Sequence, residues 1–253
     1  MKAETGISIL YANRNRDIAR IKNSLDSLLK QKIKNFEVCF VDYGSDPALV
    51  NNLKKLFTNY DFVKPYFLTA SALLWNKSKA LNYGINKVTG DFIFIADVDI
   101  IFSSEATSLF QRHNDPESFF LFRMGYLPKG FSYDKEELKS TYFGDVNGMI
   151  LASTAAFLRI NGLDEFFHFY GGEDEDLFNR MENSGLKRKI LDEQYFFHQW
   201  HEGYMSKKQR KRKVQPNLSY AMRLNSEHLG YNKRSKITSV PNLKPDELEL
   251  QIN

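Results

Sequence analysis

Four consecutive acids, Glu173 to Asp176, follow two glycines, Gly171 and Gly172, in the stretch HFYGGEDEDLFNRM at residues 168–181. Adjacent carboxylates repel one another, so such a run points to a role beyond stability. The glycines let backbone approach a ligand closely. The acids open a helical pattern, where the positive end of the helix dipole favours them. A second acidic pair, Asp97 and Asp99 in ADVDI, closes the apolar run DFIFIA at Asp91 to Ala96. That run reads as a buried strand, and ligands of open α/β sheets gather at the carboxyl ends of strands. Alternation along an extended chain predicts that Asp97 and Asp99 turn to the same side. There they would face a hard divalent cation, Mn²⁺ or Mg²⁺, and the phosphates it neutralises.

The elements that must hold these acids alternate between strand and helix, as in a layered α/β domain with a mainly parallel sheet. Strands are expected at Gly6 to Ala12, Phe36 to Asp42, Phe62 to Leu68, Asp91 to Ala96 and Ser118 to Tyr126. Helices are expected at Asp17 to Lys30, from Pro47, at Lys77 to Lys87 and over 103–113. In the first helix Ile18, Ile21, Leu25, Leu28 and Leu29 share one face. Residues 127–141 are polar and break the alternation, as either a flap over a site or an ordinary surface loop would.

At 253 residues and 42% hydrophobic composition the chain can bury a sizeable core, and a single domain over 1–236 is expected, with 237–253 as a polar, disordered tail. No apolar run approaches the length of a membrane span, and the start lacks a signal-peptide pattern, so a cytoplasmic protein is expected. The single cysteine, Cys39, sits in an apolar stretch and reads as core packing. A net charge of +4 gives no global attraction to nucleic acid, and no nucleic-acid partner is expected. The basic residues do cluster at Lys207 to Lys213, as a solvated face, a contact with anionic membrane on its inner side, or a contact with a diphosphate.

With both acidic motifs in place, the chain resembles the nucleotide-sugar-dependent glycosyltransferases of the GT-A type. The N-terminal half is similar to glycosyltransferase family 2. Three ordered blocks, YFGDVNGMILAS at Tyr142 to Ser153, FLRINGLDE at Phe157 to Glu165 and YGGEDEDLFNR at Tyr170 to Arg180, resemble the catalytic core of the β-1,4-galactosyltransferases. The resemblance implies a GT-A, Rossmann-like α/β fold and a uridine diphosphate sugar as donor.

It also implies a donor site of Ala12, Asn13, Arg14, Asp42, Lys79, Asn82, Asp97 and Tyr142. Asp42 would accept from the uracil ring. Family 2 enzymes often carry Asp-Asp-Gly-Ser there, so Tyr43 is a departure. Turn capping is the structural alternative for Asp42, and a solvated helix lysine the alternative for Lys79. The metal would be held by Asp99 and a histidine. FFHQWHEGY offers His198, where the galactosyltransferases have methionine, and His201, which matches their histidine; either or both would bind.

Matching the acidic motif makes Asp174 the base, with Glu173 as its rival and as a sugar contact. Tyr170, in place of a stacking tryptophan, and Gly171 and Gly172 would receive the acceptor. Tyr142 beside the donor sugar favours galactose or another unsubstituted hexose. The implied activity is inverting transfer of that hexose to a glycan or lipid-linked glycan, in bacterial-type surface polysaccharide synthesis. A catalytically inactive carbohydrate- or cation-binding module of the same fold and an N-acetylhexosaminyltransferase are the alternatives.

Overall fold

The computed structural model describes residues 6–135, 137–202 and 215–241. Its first half runs β1 (Ile7–Asn13), α1 (Ile18–Leu29), β2 (Phe36–Tyr43), α2 (Pro47–Phe57), β3 (Val63–Leu68), α3 (Lys77–Ile85) and β4 (Phe92–Ala96). β1 pairs in parallel with β2 and with β4, and β2 pairs in parallel with β3. The spatial order β3-β2-β1-β4 changes direction at β1, which opens a crevice beyond the carboxyl ends of β1 and β4.

Local chemistry accounts for these elements. β4 is buried along its whole length, which is why it is an unbroken apolar run. α1 begins where the Asp17 carboxylate accepts from the Arg20 amide at 3.1 Å, and it buries Ile21, Leu25 and Leu28 on one face. α3 begins where the Asn76 side chain accepts from the Lys79 amide at 2.9 Å. It lies so close to the sheet that a Cβ on Gly84 would stand 2.2 Å from Leu10 Cδ1. Cys39 is buried beside this contact, and burial pushes its thiol up to about 12, in keeping with a packing role.

The second half runs β5 (Ile100–Phe102), α4 (Ala106–Arg112), β6 (Ser118–Tyr126), β7 (Tyr142–Ser153), α5 (Thr154–Arg159), α6 (Glu173–Asn183), β8 (Lys187–Leu191), β9 (Phe196–His198) and α7 (Gln215–Arg234). The sheet continues β4-β7-β6-β9-β5, with β8 on β6. β7 is antiparallel to β4 and β6, and β5 is antiparallel to β9; the sheet is mostly parallel with this antiparallel portion. The register sets Tyr142 opposite Tyr126, Tyr126 opposite His198, and His198 opposite Ile100. This row brings residues distant in sequence to the end of β4. Apolar clusters fill both faces of the sheet, one around Phe94, Phe110 and Phe196, the other around Leu10, Ile95 and Phe157.

The elements depart from the sequence reading in two places. Asp97 and Asp99 are not on an extended strand: the Ile100 amide donates to the Asp97 carbonyl at 3.2 Å, closing a turn that sends the two carboxylates to different partners. Within 127–141, for which a flap and a surface loop are both open readings, Leu127 is buried and Phe131, Tyr133 and Leu138 pack with Ile101 and Phe197. Residues 237–241, read as the start of a tail, lie against the domain. Val240 is buried, and Asn161 and Asn183 donate to the carbonyls of Val240 and Ile237. The basic run Lys207 to Lys213 lies outside the described residues.

α7 is held to α6 by polar groups. Asp176 and Arg180, each 1% exposed, pair at 2.7 Å one turn apart, and Arg180 also donates to the Gly162 carbonyl. Asn232 of α7 donates to Asp176 at 2.8 Å and to Asp164 at 3.1 Å, and His228 Nε2 lies 2.7 Å from Asp164. Removing one member of a buried ion pair leaves the other charge uncompensated. Asp176→Ala is therefore expected to lower unfolding free energy by about 3–5 kcal/mol in urea titrations, well beyond an exposed control such as Glu227→Ala.

Candidate active site

Two charge clusters lie beyond the ends of β1 and β4. In the first, Asp99 is nearly buried and faces Arg20 Nη1 at 3.0 Å, His201 Nε2 at 3.4 Å and His198 Nε2 at 3.6 Å. One ligand atom from each of Asp99, His198 and His201 can be chosen so that all lie within 4.8 Å of one another. One carboxylate oxygen and two imidazole nitrogens at this spacing form a donor set that fits Mn²⁺, and less readily Mg²⁺. Burial pulls the His198 pKa down, against the opposing charges of Asp99 and Asp97, so its ring is neutral and able to ligate. His201 Nδ1 lies 3.0 Å from the Glu202 carbonyl, which turns Nε2 toward Asp99.

Gln199, between the two histidines, fixes this geometry. Its amide nitrogen donates to the carbonyls of Arg20 at 2.9 Å and Asp99 at 3.1 Å, while its oxygen accepts from Asn23 at 2.8 Å. α1 thus clamps the end of β9 onto the turn that carries Asp99.

The second cluster centres on Lys77 at the start of α3. Its ammonium lies 3.5 Å from Asp97, 3.6 Å from Asp174 and 3.9 Å from Glu173. Burial disfavours the charge on Lys77, but the three carboxylates outweigh it and raise its pKa. Lys77 in turn holds the Asp97 carboxyl below the usual range. Asp174 goes the other way: burial, helped by the charges of Glu173 and Asp97 and opposed by Lys77, lifts it to about 6.

The backbone beneath Asp174 makes room for it. A Cβ on Gly148 of β7 would lie 2.5 Å from Asp174 Oδ2, so the carboxylate rests on a strand position that only glycine leaves open. Gly171 and Gly172 both adopt positive φ, at 91° and 98°, and Gly172 is the N-cap of α6. Among the described residues a Cβ on Gly171 would meet nothing within 4 Å, next to the acids. Asn225 of α7 holds this turn by donating to the carbonyls of His168 at 2.9 Å and Gly171 at 3.0 Å.

The other sequence-derived residues divide. Tyr142 is exposed and stacks on Tyr126, with centroids 4.6 Å apart and planes at 12°, and Tyr126 leans on His198. Tyr170 is exposed beside the glycine turn. Asp42 is 1% exposed; Asn13 donates to it at 2.7 Å and Ser45 at 2.6 Å, so its carboxylate caps the turn after β2. Asn13 Oδ1 is left buried without a partner at that same strand end. Arg14 donates to the carbonyls of Ser71 and Leu73, tying down the loop before α3, and Ala12 packs partly buried against the core. Tyr43 is buried edge-on against Trp75.

Asn82 does not reach the crevice. Its amide donates to the Leu163 carbonyl and Glu165, and its oxygen accepts from the Leu163 amide, so both ends are taken in joining α3 to the loop before α6. On α3 it is Lys77, not Lys79, that meets the acids. Lys77, Arg20, Gln199 and Gly148 were not foreseen from sequence. Gly148 carried a usable signal, a glycine inside an otherwise regular strand. Asn225, His228 and Asn232 carried another, polar residues at i, i+3 and i+7 on one helical face.

The first cluster makes a direct prediction. Asp99→Ala is expected to abolish Mn²⁺ binding followed by calorimetry or electron paramagnetic resonance, and His198→Ala and His201→Ala each to weaken it. Undiminished binding in all three variants would exclude this donor set.

Comparison with known proteins agrees with this architecture. Residues 8–193 match the family described as Glycosyl transferase family 2. The chain is 32% identical over 124 residues to beta-1,4-galactosyltransferase 2 of Cricetulus griseus, covering 45% of this chain and 29% of that one. It is 28% identical over 121 residues to beta-1,4-galactosyltransferase 1 of Mus musculus. The match thus spans less than a third of these relatives' length. Among solved structures, S. aureus TarS 1-349 in complex with UDP-GlcNAc superposes with a TM-score of 0.59 at 19% identity, covering 91% of this chain and 69% of that one. Mannosyltransferase PcManGT from Pyrobaculum calidifontis, in complex with GDP-Man and Mn²⁺, gives 0.58 at 12% identity, covering 93% and 73%. The fold is that of the GT-A glycosyltransferases, and the chain belongs to glycosyl transferase family 2.

Proposed function

We infer that the chain is an inverting, metal-dependent glycosyltransferase that moves galactose or a related hexose from a UDP-sugar to a hydroxyl of a glycan or lipid-linked glycan. The observation that carries this reading is the Asp174 carboxylate. It is lifted to about 6, seated on Gly148 and flanked by an open glycine turn, with the Asp99, His198 and His201 donor set in the same crevice.

Asp174, ionised, takes the proton of the acceptor hydroxyl while the oxygen attacks the anomeric carbon. The carbon–oxygen bond to the donor diphosphate breaks on the opposite face, which inverts the centre and releases the nucleoside diphosphate. Asp99, His198 and His201 would hold Mn²⁺ or Mg²⁺, which supplies positive charge against the departing diphosphate. Lys77 keeps Asp97, Glu173 and Asp174 together despite their like charge, with Glu173 and Asp97 available to sugar hydroxyls. Asn13, with its unpartnered oxygen, and Arg14 form the nucleotide end, where Asp42 acts through the turn it caps. Tyr142 on Tyr126 offers a flat ring beside the donor sugar, and Tyr170 with Gly171 and Gly172 borders the acceptor.

A role in surface polysaccharide or lipid-linked glycan synthesis on the inner face of a membrane follows from the same reading. No helix among the described residues is long and apolar enough to cross a membrane. Peripheral contact through Lys207 to Lys213 therefore rests on charge alone.

A screen of nucleotide sugars for Mn²⁺-dependent release of nucleoside diphosphate tests the reading without an acceptor. It includes UDP-galactose, UDP-glucose, UDP-GlcNAc and GDP-mannose, because TarS and PcManGT are seen with the last two. Turnover of a UDP-hexose supports the proposal, and silence across the panel overturns it. Asp174→Asn is expected to keep donor affinity and lose transfer by about 10²-fold or more; a wild-type rate would shift the base to Glu173.

The pH dependence carries a sign. A base must be ionised, so transfer is low below about 6 and rises as Asp174 loses its proton. Lys77 opposes the upward shift, so Lys77→Met is expected to move the acid limb of the rate profile to higher pH. A limb that stays in place or falls would separate Lys77 from the base.

A further inference from the structure

A cavity of about 410 Å³ lies among segments adjoining the crevice in sequence, its described walls including Leu74, Phe166, Phe169, Tyr220, Ala221 and Leu224. Its volume lies within the range of small-molecule pockets, roughly 300–1,000 Å³. Among the described residues no charged side chain lines it. Among the described lining residues Asn225 and His168 are already engaged, and the Tyr220 hydroxyl is the other polar group: Asn225 donates to the carbonyls of His168 and Gly171, and His168 Nδ1 lies 2.6 Å from the Phe166 carbonyl. A sugar, ringed by hydroxyls, would find few partners here. Yet Leu74, Phe166 and Tyr220 remain 58%, 44% and 56% exposed, a local concentration of large apolar groups around one opening.

The walls tie this cavity to the chemistry. Phe169 and His168 run directly through the glycine turn into Glu173 and Asp174, and Leu74 leads through Trp75 and Asn76 to Lys77. The Phe169 amide donates to the Trp75 carbonyl at 3.1 Å, joining the two walls at their base. An occupant of the cavity that emerges at the turn arrives beside the Asp174 carboxylate.

We propose that this cavity binds the apolar aglycone of the acceptor, so that the enzyme acts on a sugar attached to a hydrocarbon or aromatic group rather than on a free sugar. Burial of the aglycone holds the acceptor sugar over Gly171, with its hydroxyl toward Asp174. The assignment rests on the transfer reading above for what happens to the sugar, and on the cavity alone for what happens to the aglycone.

The test uses the full chain with Mn²⁺ and UDP and the methyl, phenyl and octyl glycosides of glucose and N-acetylglucosamine, below micellar concentrations. Calorimetry is expected to show the phenyl or octyl glycoside binding about tenfold or more tighter than the methyl glycoside of the same sugar. A larger octyl gain identifies a lipid chain as the source, a larger phenyl gain an aromatic one. With a donor that the screen shows to be turned over, the same order is expected in KM. Leu74→Gln, at an exposed position, and Ala221→Trp, which fills the cavity, should both erase the gain. Turnover of the methyl glycoside should be unchanged in Leu74→Gln. Equal binding of all three glycosides overturns the aglycone site even if nucleotide release continues. A gain in binding that both variants retain assigns the apolar contact elsewhere and overturns it as well. Failure of the nucleotide-sugar screen strikes the transfer reading instead, and the calorimetric arm is read independently of it.

Discussion

The ammonium of Lys77 is the contact on which the crevice depends. Asp97, at the end of β4, and Glu173 and Asp174, on the first turn of α6, all lie within 3.9 Å of it. Without a cation at their centre these three acids would repel one another across a partly desolvated gap. The same cation leaves the acids unequal. Asp97 is held low because Lys77 dominates its surroundings, whereas burial dominates for Asp174 and lifts it to about 6. Carboxyl groups whose environments drive their pKa values apart can take separate roles in one reaction.

Sheet register does for the histidines what Lys77 does for the acids. β9 is three residues long and would not stand alone, but its pairing with β6 and β5 sets His198 opposite Tyr126 and Ile100, one residue after Asp99. Gln199 then ties the strand end to α1 and to the Asp99 carbonyl. The Asp99, His198 and His201 cluster is thus built from long-range pairings, with Asp99 on the turn after β4 and the two histidines at and just beyond the end of β9. Arg20 completes it with a positive charge 3.0 Å from Asp99, which helps hold that carboxylate in place.

Much of this was legible where the physics is local. The run DFIFIA announced β4 because a strand buried on both faces has no reason to alternate, and the glycines before four acids announced the start of α6. Spacing and resemblance point to Asp99, His198 and His201, and the structure brings them together. What escaped depends on contacts that no short window contains. Lys77 looks like an ordinary solvated lysine at a helix start until Asp97 and Glu173 close around it. The turn at Asp97 to Ile100 could not be read, because the extended run before it suggested that alternation would continue. Asn82 sat in the right segment but faced the wrong way, since α3 presses on the sheet through Gly84 and turns that side chain to the loop at Leu163. The aromatic run from Tyr195 reads as strand-like and contains β9, whereas β5, only three residues long, carries too little pattern to separate from loop.

α7 shows why the region beyond the family match matters to the chemistry within it. The matched residues end at 193, yet the turn that presents Glu173 and Asp174 is held by Asn225, from the far side of that boundary. Consecutive positive-φ glycines have many accessible conformations, and their carbonyls need partners when the turn is packed against a helix. Asn225 fixes one conformation by satisfying those carbonyls, and His228 and Asn232 anchor its helix to Asp164 and Asp176. Polar anchors of this kind add less net stability than apolar packing, but they admit only one register of α7 on α6. That register aligns Asn225 with the glycine turn and places Tyr220 and Leu224 along the apolar cavity beside it. The helix therefore couples the position of Asp174 to the shape of the cavity next to the glycine turn, and a shift of one turn along its axis would lose both.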